Sequence, residues 1–206
     1  MNFPFRLPVG RDLDVVGFGT NAVDFLIRVP SYPVFTSKIE LTEYLQAAGG
    51  EVASAAVGLA RLGKKTLYVG RFGDDEAGEF GLRTLVDEGV DVRFAERIIG
   101  ARTQIAFIVI DEVSGERTVI WHRDKRLAYR PEEVPISVVG EAKVLHLTPH
   151  DTEASLEMTR AARRSGTIVS IDVDNVFPGI ETVLENVDVL IASAEFPSLF
   201  LGITHA

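Results

Sequence analysis

The stretch Ala48-Gly49-Gly50-Glu51-Val52-Ala53-Ser54-Ala55-Ala56-Val57-Gly58-Leu59-Ala60-Arg61-Leu62-Gly63 decides how this chain is read. Two adjacent glycines precede a run of small residues with helical spacing, and Gly63 stops it as a C-cap would. A helix opened by glycines presents unpaired backbone amides, which suit hydroxyls or anions. The same pair also serves a tight turn that needs positive φ. Alanine and serine behind the turn permit close packing and favour the ligand reading. The chain continues into Leu67-Tyr68-Val69-Gly70-Arg71-Phe72-Gly73-Asp74-Asp75 and Gly78, a strand closed by a second glycine turn rich in acid.

Working outward, strands and helices alternate. Leu13 to Phe18 reads as a buried strand, Glu51 to Leu62 as a helix, Thr66 to Val69 as a strand and Asp75 to Glu88 as an amphipathic helix closed by Gly89. After an interruption the rhythm resumes. Ala142 to Leu147, Ile168 to Asp172 and Val189 to Ala192 read as strands. Thr152 to Ser165 and Gly179 to Asn186 read as helices, and a last helix begins near Ser193. Such alternation predicts an α/β fold, a parallel sheet with helices on both faces. The interruptions, about 25–47 and 103–123, look extended. Glu112-Val113-Ser114-Gly115-Glu116 is a turn signal between two strands of the second. Both pieces predict a small accessory sheet beside the main one, within a single domain spanning 1–206.

Composition narrows the function classes. A formal net charge of −9 argues against a general nucleic-acid surface. The absence of cysteine rules out disulfides, thiolate metal sites and cysteine nucleophiles. No apolar run approaches membrane-spanning length, and Met1 to Asp12 shows no signal-peptide pattern. These features predict a cytoplasmic protein that partners neither membrane nor nucleic acid.

In open parallel sheets, ligands lie beyond the carboxyl ends of the strands. The candidates there are Asn21 and Asp24, then Gly49 and Gly50, then Gly73 to Asp75, His146 to Asp151, and Asp172 to Asn175. Asp24 can accept hydrogen bonds from hydroxyls or serve a turn. Asp74 or Asp75 reads as an N-cap. His146 and His150 are four apart, but Pro149 puts them on a strand exit, so no metal site is expected there; Asp151-Thr152 looks like helix capping. Asp172 and Asp174 either hold Mg2+ or its waters or are a solvated strand end. There is no Gly-x-x-x-x-Gly-Lys-Ser/Thr and no Gly-x-Ser-x-Gly, and Gly17-Phe18-Gly19 lacks the third glycine of a dinucleotide fingerprint.

Taken together, these segments resemble the PfkB, or ribokinase-like, carbohydrate kinases, with ketohexokinase-like and ribokinase-like members nearest. Gly17 to Asp24 is similar to that family's first strand and substrate-binding Asp. Gly49 to Gly63 is similar to its amino-terminal signature, and Val69 to Gly78 to its Val-Gly-x-x-Gly-Asp-Asp-x-x-Gly block. Glu88-Gly89-Val90-Asp91 and Gly115-Glu116-Arg117-Thr118 fit at the same places. The resemblance implies a β-sheet lid, formed by the extended pieces, that also serves in several members as a dimer contact. It implies a sugar or related alcohol held between lid and sheet, with ATP and Mg2+ as cofactors; such transfer rests on positioning and charge stabilisation. Carried over, it assigns acceptor binding to Asn21, Asp24, Gly49, Gly50 and Ser54, and the cofactor side to Asp172, Asp174 and Ser193.

The chain departs from the pattern at three places. Ser54 replaces the signature Asn. Glu51 stands where some members have a neutral polar residue, and a carboxylate there disfavours an already phosphorylated acceptor. Ser193-Ala194-Glu195-Phe196 stands in place of Asn-x-x-Glu. The family's second signature, with its catalytic-base Asp and anion hole, is expected beyond residue 206. The expectation is therefore a truncated kinase, inactive by itself; the alternatives are a sugar- or nucleoside-binding module and a structural partner.

Overall fold

The structure is a computed structural model that describes residues 5–203. Six parallel strands form the main sheet: β1 (Leu13–Phe18), β4 (Thr66–Gly73), β5 (Asp91–Ile98), β8 (Ala142–Leu147), β9 (Ile168–Val173) and β10 (Val189–Ala192), in the order β10-β9-β8-β1-β4-β5. Four strands form a separate sheet: β2 (Ala22–Val29), β3 (Glu43–Gly49), β6 (Ile105–Asp111) and β7 (Arg117–His122), in the order β3-β2-β6-β7. The expected α/β architecture and its small second sheet are both present. Among the described residues, no helix is long and apolar enough to cross a membrane.

Strand alternation divides the core. Val16, Phe18, Leu67 and Val69 point to one face of the main sheet, where Ala154, Met158 and Ala162 of α3 (Thr152–Ser165) and Ile180 and Val183 of α4 (Ile180–Leu184) cover them. Tyr68 and Phe72, at alternate positions of β4, point to the other face. Val52, Ala53 and Ala56 of α1 (Glu51–Arg61) and Leu85 of α2 (Glu76–Asp87) meet them there. Both faces of β4 are therefore buried, the usual state of a central parallel strand.

Three readings need correction. β5 was not expected: Asp91-Val92-Arg93-Phe94-Ala95-Glu96-Arg97-Ile98 carries four charges, and only an edge strand pairs with such a pattern, which β5 does with β4. β4 does not stop at a glycine turn after Val69 but runs on to Gly73, paired with β5 throughout that stretch. Asp151 makes no side-chain cap for α3; its carboxylate takes both guanidinium nitrogens of Arg123 at 2.8 Å and the Tyr129 amide at 3.1 Å.

The lid sheet is rooted at fixed points. Asp75 caps α2 by accepting from the Gly78 amide at 2.9 Å, and it also accepts from Thr103 Oγ1 at 2.7 Å and the Thr103 amide at 3.1 Å. One carboxylate thus starts a helix and anchors the base of β6. Arg123, just beyond β7, is held by Asp151 at the start of α3. The short α5 (Phe196–Leu201) starts where Ser193 Oγ accepts from the Phe196 amide at 3.2 Å.

Candidate functional site

β1 lies between β8 and β4, so strand order reverses around it, and ligands of open α/β sheets collect at such a point. The chain leaves β1 and enters β2, carrying the lid over this carboxyl end. Between lid and sheet opens a cleft of about 730 Å3. Its sheet side is made by Thr20 after β1, Gly50 and Glu51 at the start of α1, His150 after β8, and Asp174 and Phe177 after β9. Its lid side repeats with period two: Ala22, Asp24 and Leu26 on β2, Ala106, Ile108 and Ile110 on β6, Arg117, Val119 and Trp121 on β7. Gln104 lines the base.

The diglycine turn fixes the seam between lid and helix. Gly50 has φ +96°, and a Cβ there would lie 2.4 Å from Asn21 Cα and 2.8 Å from the Ala22 nitrogen. Only glycine lets α1 begin so close to the root of β2. Gly49 has an ordinary φ, but a Cβ on it would lie 2.1 Å from Asp24 Oδ2. The Asp24 carboxylate therefore rests against the Gly49 backbone. It accepts no hydrogen bond from any described residue, and burial raises its pKa.

Glu51 is the most perturbed acid of the cleft. Burial first, then repulsion from Asp174 and Asp172, pushes it up to about 7, against a hydrogen bond from Thr20 Oγ1 at 3.3 Å. His150 Nδ1 lies 3.7 Å from Glu51 Oε2. Its ring packs on Phe177 with centroids 5.0 Å apart. Burial, then Arg123, lowers the pKa of His150, which favours the neutral imidazole.

The expected site residues do not all converge. Asp24, Gly50 and Asp174 line the cleft, and Gly49 backs Asp24 from behind. Asn21 points away from it: Nδ2 donates to the Tyr68 hydroxyl and the Arg71 carbonyl, both at 2.9 Å, while Tyr68 donates on to the Gly19 carbonyl at 2.8 Å. That chain ties the lid root to β4. Ser54 sits on the far side of α1, exposed, and with Asn21 and Gly49 it borders a second hollow of about 410 Å3 between α1 and α2. Asp172 acts on Glu51 through its charge alone, and Ser193 Oγ donates to the Asp174 carbonyl and accepts from the Phe196 amide, both at 3.2 Å. His146 is buried in the sheet with Nδ1 3.3 Å from Ser170 Oγ, away from His150. Among the described residues, no group of three or more His, Cys, Asp or Glu is placed to hold a metal ion.

Sequence reasoning missed Gln104, Trp121 and Phe177. The alternation Gln104-Ala106-Ile108-Ile110 was a usable signal for one face of β6, but which face met the cleft depended on lid packing.

The pfkB family carbohydrate kinase pattern matches residues 12–204. Probable fructokinase-4 of Arabidopsis thaliana is 30% identical over 166 residues, covering 77% of this chain and 49% of its own length. Fructokinase of Solanum tuberosum is also 30% identical, over 77% of this chain and 50% of its own length. The chain thus spans about half the length of the curated relatives it matches. Among solved structures, a putative ribokinase from Agrobacterium tumefaciens superposes with a TM-score of 0.82 at 28% identity, over 94% of this chain and 63% of that one. The Xylella fastidiosa fructokinase with bound ATP gives a TM-score of 0.70 at 27% identity, over 86% of this chain and 60% of that one. With its fold, its diglycine turn and a family match along nearly its whole length, this chain belongs to the pfkB family of carbohydrate kinases.

Proposed function

We propose that this chain forms the acceptor-holding part of an ATP-dependent carbohydrate kinase, with a sugar or related small alcohol lying between lid and sheet. The observation that carries the reading is the Asp24 carboxylate, which accepts no hydrogen bond from any described residue and lines the cleft beside the Gly50–Glu51 helix start. An unengaged carboxylate there accepts hydrogen bonds from hydroxyls, while Trp121 and Phe177 offer apolar faces to a carbon frame. The relatives named fructokinase make a sugar the natural occupant.

Phosphoryl transfer needs a nucleotide site and a group to take the hydroxyl proton. When bound, ATP supplies the transferred phosphoryl and Mg2+ neutralises its charge. The described residues do not fit that role: Asp172 and Asp174 belong to no metal-holding group, and the Ser193 hydroxyl is engaged by Asp174 and Phe196. No step of the transfer is assigned to them. Their part is to bind and orient the acceptor.

A homodimer through the lid accompanies this proposal. The face turned from the cleft carries Phe25 stacked on Phe107 at 5.2 Å and on Tyr44 at 6.1 Å, and Tyr44 and Ile120 are more than half exposed. A monomer at high concentration in sedimentation would remove the dimer. A cytoplasmic location belongs to the same proposal and is open to fractionation.

The functional test is binding and turnover by a polypeptide of these 206 residues. Trp121 is the only tryptophan, so its fluorescence reports occupancy of the cleft. Free ketoses, aldoses and nucleosides are titrated, and ADP release is followed with ATP present. Sugar binding lost in Asp24→Asn, with no ADP release from this polypeptide, is the expected result. Sugar binding unaffected by Asp24→Asn overturns the site, and clear turnover overturns the division of roles.

A further inference from the structure

Gln104 stands at the base of the cleft on backbone fixed from both sides. Before it, Thr103 is locked to Asp75 by its amide at 3.1 Å and its hydroxyl at 2.7 Å. The Gln104 carbonyl accepts from the Val23 amide at 2.9 Å, which carries the β2–β6 ladder one residue beyond Ile105. Period two then puts the Gln104 side chain on the lid face of Ala106 and Ile108, the face that Asp24 shares.

The amide of this side chain is unengaged. Its Oε1 is sealed from solvent with no hydrogen-bond partner. Its Nε2 is neither sealed nor bonded to any described residue, so the amide turns its donor end toward the cleft. A buried carbonyl oxygen without a donor is a cost, and native chains seldom keep one without a use. Methionine matches glutamine in length and would carry no such cost. What glutamine adds at this place is a donor.

That donor complements its neighbour. An ionised Asp24 only accepts, and a hydroxyl that gives it a proton keeps two lone pairs for a donor to meet. Asp24 pairs with Ala106, so Gln104 is its diagonal neighbour on the adjoining strand, about 8 Å away between Cα atoms by strand spacing and rise. Side chains standing off one face keep a similar spacing at their tips. Two hydrogen bonds of about 2.8 Å and the gap between oxygens on adjacent carbons bridge that distance.

We propose that Gln104 is a specificity-determining residue of the acceptor site, which reads a pair of oxygens on neighbouring carbons: Asp24 accepts from one hydroxyl while Gln104 Nε2 donates to the oxygen beside it. The ligand class is a sugar or polyol with adjacent hydroxyls, or with a hydroxyl beside a carbonyl or ring oxygen. An isolated hydroxyl satisfies one of the two residues and leaves the other unpaired. This deepens the proposed function and rests on the cleft being the acceptor site.

The test is Gln104→Met in the 206-residue polypeptide, with melting followed by circular dichroism and binding by calorimetry and Trp121 fluorescence. D-fructose, D-ribose and D-glucose are titrated, then the monodeoxy forms of whichever binds tightest. The variant should melt at or above the parent protein, because it loses a buried unpaired oxygen, yet bind the intact sugar roughly 3- to 10-fold more weakly. One monodeoxy sugar, lacking the oxygen that Gln104 meets, should bind the parent protein and the variant equally well. A purely structural role predicts the opposite pattern: a lower melting temperature, with intact and deoxy sugars all weakened by the same factor. That pattern overturns the inference, as does a variant that binds the intact sugar like the parent protein. If Asp24→Asn loses the sugar while Gln104→Met keeps it, the inference falls and the acceptor site stands. If the parent polypeptide binds none of these sugars, the acceptor reading fails and takes the inference with it.

Discussion

Replacing Gly50 and Gly49 separately by alanine should separate stability from binding at two neighbouring atoms. In Gly50→Ala the new Cβ meets only backbone: Asn21 Cα at 2.4 Å, Asn21 C at 2.7 Å and the Ala22 nitrogen at 2.8 Å. Backbone cannot rotate aside, so α1 or the root of β2 must shift, at about 1–3 kcal/mol by analogy with overpacked cores. Holding alanine at φ +96° adds roughly 1–2 kcal/mol. The sum, roughly 2–5 kcal/mol, corresponds to a melting temperature lower by roughly 5–15 °C for a chain of this size. In Gly49→Ala the Cβ meets the Asp24 carboxylate, Oδ2 at 2.1 Å and Cγ at 2.7 Å. That side chain can swing away, so the stability cost stays below about 1.5 kcal/mol. The swing moves the carboxylate from its place beside the helix start, however, and a lost hydrogen bond to a charged group weakens acceptor binding by about 1.5–3 kcal/mol, roughly 10- to 100-fold. Urea unfolding followed by circular dichroism gives the first quantity, and sugar titration of Trp121 fluorescence gives the second. Two variants that melt with the parent protein would refute the packing of the turn. A Gly49→Ala variant that binds sugar normally would refute the role of Asp24.

Glu51 sets a pH dependence of stability. Its folded pKa, about 7, lies above the ordinary 4.5, so the folded chain holds the proton more tightly. The stability this contributes is complete below about 4.5 and is lost as pH rises through about 7. Because the side chain is a third exposed, solvent screening leaves roughly 1–2 kcal/mol of the shift. Glu51→Gln should flatten the fall in urea midpoint across that window, and an unchanged slope would show that Glu51 is not its source; Asp24 and His150 share the cleft with it, and the charges of Asp172 and Asp174 act on it. At the base of the lid, Asp151→Asn leaves the Arg123 guanidinium, 19% exposed, without its countercharge and should cost roughly 2–4 kcal/mol. Adding Arg123→Met should recover part of that loss in a double-mutant cycle, and strict additivity would mean the pair is not coupled.

Much of the architecture was legible because its signals are local. Gly63 and Gly166 stop helices, Asp75 caps one, and the apolar runs Leu13 to Phe18 and Ala142 to Leu147 are long enough to be buried strands. β5 was illegible for the same reason: an edge strand needs few apolar residues, so its charges hid it. Within the site, Asp24 and the glycine pair could be named because a turn and a helix start require particular residues at particular places.

The sequence by itself determined the family, the two sheets and the diglycine seam, since backbone conformation and strand period are properties of neighbouring residues. Only the tertiary structure decided which side chains share the cleft. Asn21 and Ser54, a few residues from Asp24 and Gly50, face elsewhere, because a strand reverses its side chains at each residue and a helix turns by about 100°. Glu51, His150, Asp174 and Trp121, up to 123 positions apart in Glu51 and Asp174, meet because parallel strands end together and the lid folds over those ends. The carboxylate of Glu51 owes its altered proton affinity to that meeting, since burial and like charge act through space and leave no mark on the order of residues.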